Sequence, residues 1–207
     1  MKILIRNVMN RYPKLFLLAQ VFRMPVGFGG GTLQSVHDRF VLDTEDATIA
    51  VDIGCGPTPQ NLFSADQVFG VDLIENEAAN VRKARLGFEP MPFADGSIHY
   101  VTAYDLLEHI PRYGDLPEHR NTPFVYMMNE VYRVMKKGGI FLSSTPVYPF
   151  MRAFQDPTHN NVMTTETLRL YFSDQKIPIA NHYGIDCDFK ILYRKLFGQH
   201  LVAILQK

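Results

Sequence analysis

Four short apolar runs within residues 48–146 set the strongest limit on what this chain can fold into. Runs of this length are typical of strands that are buried on both faces of a parallel sheet. A chain that contains several of them needs helices or other long connections between the strands. The four runs are TIAVDIG (48–54), QVFGVDL (67–73), IHYVTAYD (98–105) and IFLSSTP (140–146).

The segments between these runs favour helices. PQNLFSA (59–65) predicts a brief helix, and NEAANVRKARLG (76–87) predicts an exposed one. TPFVYMMNEVYRVMKKGG (122–139) is the clearest helix, because its apolar residues recur at spacings of three and four. Thr122 is placed to cap this helix, and Pro123 then occupies its first position.

The carboxyl-terminal segment has a different pattern. From Cys187 to Tyr193 apolar and polar residues alternate, and a second strand-like run follows the turn at Gly198. This pattern predicts a hairpin whose last strand is antiparallel to its neighbour. Strands and helices that alternate and then end in a hairpin predict an α/β fold, a doubly wound sheet with an antiparallel strand.

Length and charge narrow the class of protein. The 207 residues suit one domain, and the 21 basic and 21 acidic residues cancel, so we expect no nucleic-acid partner. Two cysteines without metal-pair spacing suit a reducing, cytoplasmic location. We predict a single domain over 1–207 that comprises an N-terminal helical cap (1–45), a cofactor-binding core (46–146), a substrate-side loop and helix (147–184) and a C-terminal hairpin (185–207).

The amino-terminal segment is basic, since residues 1–37 contain five lysines and arginines and no acid. Its apolar stretch LFLLAQVF (15–22) is too short to span a bilayer and lacks a signal-peptide cleavage site. We predict a helix that docks on the domain or on a partner subunit, and contact with an anionic membrane surface is the alternative. The glycine run GFGGG (27–31) is interpreted as a flap near the cofactor.

A glycine-containing turn follows the first strand directly, in VDIGCGPTPQN (51–61). Gly54 and Gly56 let the backbone turn sharply and approach a ligand closely. Asp72 ends the second strand, where a carboxylate can accept hydrogen bonds from both hydroxyls of a ribose. Pro57 and Pro59 lack backbone donors, so the turn suits a nucleoside without phosphates better than a dinucleotide.

These motifs resemble those of class I S-adenosylmethionine-dependent methyltransferases of the methyltransferase-domain type. The matching stretches are VDIGCG, VFGVDL, MPFADGSIHYVTAYDLLEHIP and NEVYRVMKKGGIFLSSTP, in the expected order across residues 48–146. The resemblance implies S-adenosylmethionine as cofactor and a Rossmann-like sheet of seven strands. The chain departs from the family pattern at the third glycine position, which is Thr58, and at the adenine-binding acid, whose place Gly87 takes.

The resemblance also implies roles for individual residues. Asp52, Gly54, Cys55 and Gly56 are expected to line the methionine and ribose part of the cofactor. Asp72 is expected to bind the ribose hydroxyls, and Asp105 to lie near the methionine moiety. The adenine contacts are expected from Leu73, with Phe88 stacking on the ring and Glu89 reaching its amino group.

The stretch TAYDLLEHIPR (102–112) places three proton-active side chains after the third apolar run. They have three interpretations. In the first, the turn is capped by Asp105, Glu108 and His109. In the second, the general base is His109 or Asp105. In the third, a divalent metal is bound by these three residues together with His159. The spacing D-x-x-E-H resembles the E-x-x-E-H of some metal-dependent O-methyltransferases, including RNA 3′-end enzymes. We predict no metal ion.

The long connection 146–163 is the second candidate for function, since long ordered loops commonly carry it. Its DPTH segment resembles one found in bacterial methyltransferases of unassigned specificity, some of which are associated with sugar or cell-surface glycan pathways. His159 is our first choice for the base or for substrate contact. Tyr104, Tyr148 and Phe150 are further candidates for the pocket wall.

We therefore predict methyl transfer to a hydroxyl of a small-molecule or sugar-like acceptor by a monomer or homodimer. An RNA-directed methyltransferase and a non-catalytic cofactor-binding or scaffold subunit are the alternatives.

Overall fold

A computed structural model describes residues 36–114 and 122–207. They form a sheet of seven strands in the order β3-β2-β1-β4-β5-β7-β6. All neighbours pair in parallel except β7, which is antiparallel to both β5 and β6. The strands are β1 (Ile49–Ile53), β2 (Gln67–Asp72), β3 (Val81–Lys83), β4 (Ile98–Tyr104), β5 (Met135–Pro146), β6 (Lys190–Phe197) and β7 (His200–Gln206).

This topology confirms the predicted fold class. The chain leaves β1 towards β2 and β3 on one side, and then returns to build β4, β5 and the hairpin on the other. The direction therefore changes between β1 and β4, and ligands in open α/β sheets bind at the carboxyl ends of the strands beside such a switch point. The predicted C-terminal hairpin is β6 with β7.

Helices are fewer than predicted. Three α-helices lie wholly within the described ranges: α1 (Pro123–Val134), α2 (Arg152–Gln155) and α3 (Thr167–Phe172). Turns of 3-10 helix lie at Asp38–Phe40, Glu77–Ala79 and Pro178–Tyr183. Thr122 stands at the amino end of α1 as predicted, but its side chain accepts no capping hydrogen bond. The helix ends at Val134, before the predicted 139, because Met135 already pairs with Ile98 of β4.

The predicted helix at 59–65 is wrong, since these residues form turns. The Asn61 side chain satisfies both backbone groups of Ala65, accepting from its N–H at 2.8 Å and donating to its carbonyl at 2.9 Å. The turn nevertheless packs on the sheet, as the predicted helix would have done. Phe63 stacks on Tyr100 at a centroid distance of 4.4 Å and so covers one face of the sheet.

The predicted helix at 76–87 is also wrong. After the 3-10 turn at Glu77–Ala79, Asn80 takes a left-handed conformation with φ of 55°, which ends the turn. Val81 then enters the sheet as the start of β3 and is buried there. Burial of a β-branched side chain beside β2 has outweighed the helical pattern of the sequence.

The opposite face of the sheet is covered by α1, through a row of buried apolar residues. Met127, Met128, Val131 and Val134 are fully buried against the strands. Within residues 36–114 and 122–207, no helix is long and apolar enough to cross a bilayer. The predictions for residues 1–35, including the helix and the glycine run 27–31, lie outside the described residues.

Candidate active site

The glycine turn after β1 opens towards the carboxyl edge of the sheet. Gly54 and Gly56 have φ angles of 69° and 65°, which favour glycine. A Cβ atom on Gly54 would lie 2.6 Å from Cδ1 of Leu106, so this glycine lets the segment after β4 approach the turn. A Cβ atom on Gly56 would meet nothing within 4 Å. The space in front of Gly56 is therefore open to a ligand.

Asp52 lies beneath this turn and is only 2% exposed. One carboxylate oxygen accepts a hydrogen bond from the hydroxyl of Thr102 at 2.7 Å, and the other accepts from the backbone N–H of Gln60 at 2.9 Å. Burial raises the pKa of Asp52, and these two hydrogen bonds oppose that shift. Because both oxygens are engaged inside the protein, Asp52 positions the turn by linking it to β4.

Asp72 stands at the end of β2 and orients the same turn from the other side. Its two oxygens accept from the backbone N–H groups of Gly56 and Leu73, each at 2.7 Å. A carboxylate has about four lone-pair positions, so two remain for further donors. Leu73 and Ile74 beside it are 62% and 78% exposed, which is unusual for large apolar side chains. A carboxylate next to an exposed apolar pair suits a ribose joined to a flat base.

The remaining predicted cofactor contacts have partners within the protein. Phe88 lies against the Arg85 guanidinium, whose carbon is 3.8 Å from the ring centre, and Glu89 accepts the backbone N–H of Arg85 at 2.7 Å. The Cys55 sulfur packs against Gly70 of β2. Burial raises the pKa of Cys55 to about 11, so it stays a neutral thiol at neutral pH.

Asp105 follows β4 directly and has a left-handed backbone, with φ of 45°. Its backbone N–H donates to the carbonyl of Ser144 in β5 at 2.9 Å. Its carboxylate lies 2.9 Å from Nε2 of His200, and this hydrogen bond is the main reason why its pKa is lowered. Non-glycine residues held in this region cost about 1–3 kcal/mol and concentrate at functional sites.

His200 was missed by sequence reasoning. It is the first residue of β7 and pairs with Pro146 at the end of β5, so the antiparallel strand starts at the edge where the parallel strands end. The available signal was the hairpin itself, since a predicted antiparallel last strand must begin near that edge. Nothing in the local sequence QHLVAIL marks this histidine.

The loop that contains His159 is clamped onto the turn after β4. The carbonyl of Glu108 accepts from the backbone N–H groups of Asn160 and Asn161 at 2.7 and 3.0 Å. The Asn161 side-chain amide donates to the carbonyls of Leu107, at 3.1 Å, and Ile110. These contacts hold two segments that lie about fifty residues apart in the sequence, and they fix the position of the side chains between them.

Between the clamped segments, Glu108, His109 and His159 come together. One atom able to bind a metal from each residue lies within 4.8 Å of the others, in a group that does not include Asp105. The rings of His109 and His159 are 4.8 Å apart and nearly perpendicular. Glu108 is 1% exposed, and burial raises its pKa. Three of the four residues predicted as candidate metal ligands therefore meet, and Asp105 pairs with His200 instead.

A cavity of about 200 Å³ opens between these groups. It lies at the carboxyl ends of β4 and β5 and at the start of β7, next to the glycine turn along the same edge. Its lining is dominated by polar side chains: Asp105, Glu108, His109, Pro146, Arg152, Gln155, Asp156, His159 and His200. The candidate site therefore has two parts, an open nucleoside-sized edge at β1 and β2 and a polar cavity at β4, β5 and β7.

Residues 51–143 match the family described as the methyltransferase domain, and this segment contains the glycine turn, Asp72 and Asp105. Over these residues the chain is a methyltransferase domain. The predicted resemblance, enzyme class and cofactor are confirmed. No curated protein sequence matches this methyltransferase.

Solved structures share the fold of the methyltransferase at low sequence identity. An S-adenosylmethionine-dependent methyltransferase from Archaeoglobus fulgidus is 19% identical with a TM-score of 0.52, over 93% of this chain and 99% of that one. A chain of a complex containing the Haloferax volcanii Trm112 methyltransferase activator is 10% identical with a TM-score of 0.53, over 84% and 88%. The [4+2]-cyclase SpnF is 14% identical with a TM-score of 0.50, over 84% and 81%.

The described residues fit S-adenosylmethionine. No atom fills the space in front of Gly56, so the cofactor can approach the backbone closely there. The free lone pairs of Asp72 suit two ribose hydroxyls. Leu73 and Ile74 offer the apolar surface that a base packs on. Asp105 directly follows β4, at the point where the two parts of the methyltransferase's site adjoin.

Proposed function

We propose that this methyltransferase acts on a hydroxyl oxygen of a small polar acceptor, such as a sugar, that binds in the cavity at the ends of β4, β5 and β7. The observation that carries the proposal is the lining of this cavity, which brings one carboxylate–imidazole pair, one pair of imidazoles and Arg152 into one small space. Ligand pockets are commonly about 300–1,000 Å³. A cavity of about 200 Å³ therefore favours a small acceptor over a macromolecule.

The first grouping is the pair of Asp105 and His200, which we assign to the proton. With Nε2 of His200 donating to the Asp105 carboxylate at 2.9 Å, the lone pair of the other ring nitrogen is left to accept a proton. The Asp105 carboxylate orients the ring and stabilises the imidazolium that results, as an acid does behind a catalytic histidine. The sequence suggested Asp105 as a general base; in this proposal it is a positioning residue that acts through His200.

The second grouping is His109 with His159, which we assign to the acceptor oxygen. Both side chains line the cavity, and their rings are in contact. The loop clamp holds them in place, so they can fix the oxygen in one position rather than follow it. Holding nucleophile and reacting carbon in line is the main task in this chemistry, and it contributes several orders of magnitude to the rate.

S-adenosylmethionine, when bound, supplies a methyl group on a positive sulfonium that is already activated for displacement. The acceptor O–H bond breaks as the new O–C bond forms, and the C–S bond breaks to release S-adenosylhomocysteine. The hydroxyl proton passes to His200, which returns it to solvent. Arg152 at the rim of the cavity is available to hold another oxygen of the acceptor.

The test is methyl transfer from labelled S-adenosylmethionine by the full chain, with monosaccharides, small diols, small amines and total RNA as acceptors. We expect labelled methyl ethers from the hydroxyl compounds, and a large loss of kcat in His200→Gln. His182→Gln is the matched control, since His182 is exposed and does not line the cavity. Label only in RNA, only on nitrogen, or in no acceptor would contradict the proposal, and the last result would favour a non-catalytic subunit.

A further inference from the structure

Glu108 is a buried carboxylate with one oxygen that lacks a partner. Its Oε2 accepts a hydrogen bond from the hydroxyl of Thr145 at 2.7 Å. Its Oε1 is fully buried and has no hydrogen-bond partner among the described residues. A buried carboxylate oxygen is normally paired or bound to a metal, because its desolvation is otherwise uncompensated. The unpaired Oε1 of Glu108 therefore indicates that a ligand is bound there.

His109 presents a free nitrogen to the same group. The Thr158 hydroxyl donates its only proton to Oδ1 of Asp156, at 2.6 Å. Its oxygen must then act as the acceptor in the 3.0 Å contact with Nδ1 of His109. This contact places the ring proton of His109 on Nδ1, so Nε2 carries an unshared lone pair. The chain Asp156–Thr158–His109 is the kind of outer support that fixes metal-binding histidines.

His159 is oriented in the same way. Its Nδ1 lies 3.4 Å from the carbonyl of Ala153, which can only accept, so this nitrogen carries the proton. Its Nε2 is 4.0 Å from Oδ2 of Asp156, too far for a hydrogen bond. The side chain is 8% exposed. Two imidazoles and one buried carboxylate thus each offer one unused donor atom in a common space.

We propose that Glu108, His109 and His159 bind a divalent transition-metal ion such as Zn²⁺, Co²⁺ or Mn²⁺. Two imidazoles and one carboxylate form a donor set that these ions prefer, whereas Mg²⁺ favours oxygen ligands alone. Three protein ligands leave coordination positions open, and these positions face the cavity that His109 and His159 line. From the sequence, these three residues and Asp105 were an alternative metal-binding set while no metal ion was predicted, and Asp105 is not part of the group that the structure brings together.

The role of the ion rests on the proposed function. An acceptor hydroxyl that coordinates an open position loses its proton more readily, because the cation stabilises the alkoxide. The proton passes to His200, the alkoxide oxygen forms the O–C bond, and the C–S bond breaks as before. The acceptor class narrows accordingly to compounds with a metal-binding hydroxyl, such as a vicinal diol or a hydroxyl beside a carbonyl. Ion binding itself requires neither cofactor nor acceptor.

The experiment is metal binding by the full chain after removal of metal with a chelator. Zn²⁺, Co²⁺, Mn²⁺ and Mg²⁺ are titrated one at a time by calorimetry, and Co²⁺ is also followed by its visible absorption. We expect one ion per chain, with Mg²⁺ the weakest. Glu108→Gln and His159→Ala each weaken Co²⁺ binding by about a hundredfold or more, the upper range for loss of even an outer-shell partner. His182→Gln leaves it unchanged.

Glu108→Gln distinguishes loss of a metal ligand from a folding defect, since it keeps the size of the side chain and the hydrogen bond with Thr145. Without metal this variant melts at the same temperature as the wild type or higher, because a buried charge is gone. With Co²⁺ only the wild type and His182→Gln rise in Tm. Absence of binding by all four ions, or binding that survives in both ligand variants, overturns the metal site.

Failure of the two proposals is distinguishable. Methyl ethers formed at full rate in the presence of a chelator would retain the proposed function and overturn the role of the ion. Tight Co²⁺ binding that depends on Glu108 and His159, with no transfer to any hydroxyl, would retain the metal site and overturn the proposed function.

Discussion

The two parts of the site differ in how their polar side chains are satisfied. At the ends of β1 and β2, Asp52 and Asp72 hydrogen-bond groups of the protein through all four of their oxygens. At the ends of β4 and β5, Glu108, His109 and His159 retain unused donor atoms. The first part is a rigid support that a ligand rests against. The second part is incomplete without a ligand, as expected where chemistry or ion binding takes place.

The largest effect should come from the rigid part, with Gly54→Val. A Cβ atom there would overlap Leu106, and φ of 69° is unfavourable for any β-branched residue. The strain alone costs about 1–3 kcal/mol, and overpacking adds about 1–3 kcal/mol. We expect a fall of several kcal/mol in the free energy of unfolding, measured by urea denaturation, and loss of S-adenosylmethionine binding.

Gly138→Val is the matched control for that variant. Gly138 has φ of 83° but no atom within 4 Å of its Cβ position, so it shares the strain without the overlap. It should be destabilised less than Gly54→Val and should still bind S-adenosylmethionine. Equal destabilisation of the two variants would mean that the contact with Leu106 does not shape the turn.

The second prediction separates the two parts directly, by comparing Asp72→Asn with Asp105→Asn. Hydrogen bonds to a charged group contribute about 1.5–3 kcal/mol. Asp72→Asn should therefore raise the Kd of S-adenosylmethionine by about tenfold or more, measured by calorimetry. Asp105→Asn should mainly lower kcat, because it loses the charge that orients His200. If Asp105→Asn weakened cofactor binding as much as Asp72→Asn did, the assignment of cofactor binding to Asp72 and of proton transfer to Asp105 with His200 would be wrong.

The third prediction concerns the clamp that joins the 156–161 loop to the turn after β4. Asn161→Ala removes the donors to the carbonyls of Leu107 and Ile110. We expect a loss of about 1–3 kcal/mol in the free energy of unfolding, because buried carbonyls are left unpaired. We also expect a lower kcat with an unchanged Kd for S-adenosylmethionine. Asn181→Ala, at an exposed position, is the control; equal kcat in the two variants would show that the clamp does not position His109 and His159.

The same contrast explains how much could be predicted from the sequence. The positions of the glycine turn and of Asp72 could be predicted because their signals are local: the turn comes directly after one strand, and Asp72 ends the next. The sheet was accessible because buried strands are marked by short apolar runs. The helices at 59–65 and 76–87 were wrong, because side-chain hydrogen bonds of Asn61 and burial of Val81 decided those segments.

The polar cavity at β4, β5 and β7 could be predicted only in part, since its side chains come from segments that are distant in the sequence. His200 is 95 residues from Asp105, and no local pattern marks it. His159 could be selected because it lies on a long loop after a buried strand, and the structure brings it to His109 as that loop folds back. The sequence also did not show which of the four candidate ligands meet, since Asp105 pairs with the distant His200 and is not in the group of Glu108, His109 and His159.

The smallest effect should come from Glu166, whose carboxylate links α3 to β6 through two arginines. It accepts from Arg169 at 2.5 Å in α3 and pairs with Arg194 of β6 at 2.9 Å. The hydrogen bond from Arg169, and then that from Arg194, lowers the pKa of Glu166 in the folded state. A lowered folded pKa gives stability that is fully present above the unfolded value of about 4.3 and is lost as the pH falls through the folded pKa.

Because Glu166 is 40% exposed, solvent screening limits this contribution to at most about 1 kcal/mol. Thermal melts of the wild type and of Glu166→Gln should therefore differ by a few degrees at pH 7, and the two curves should converge as the pH falls below the folded pKa. Added salt should shrink the difference at pH 7, since the ion pairs are exposed. A difference that persisted in strong acid would mean that Glu166 acts by packing, whereas convergence would assign its contribution to stability to these surface ion pairs.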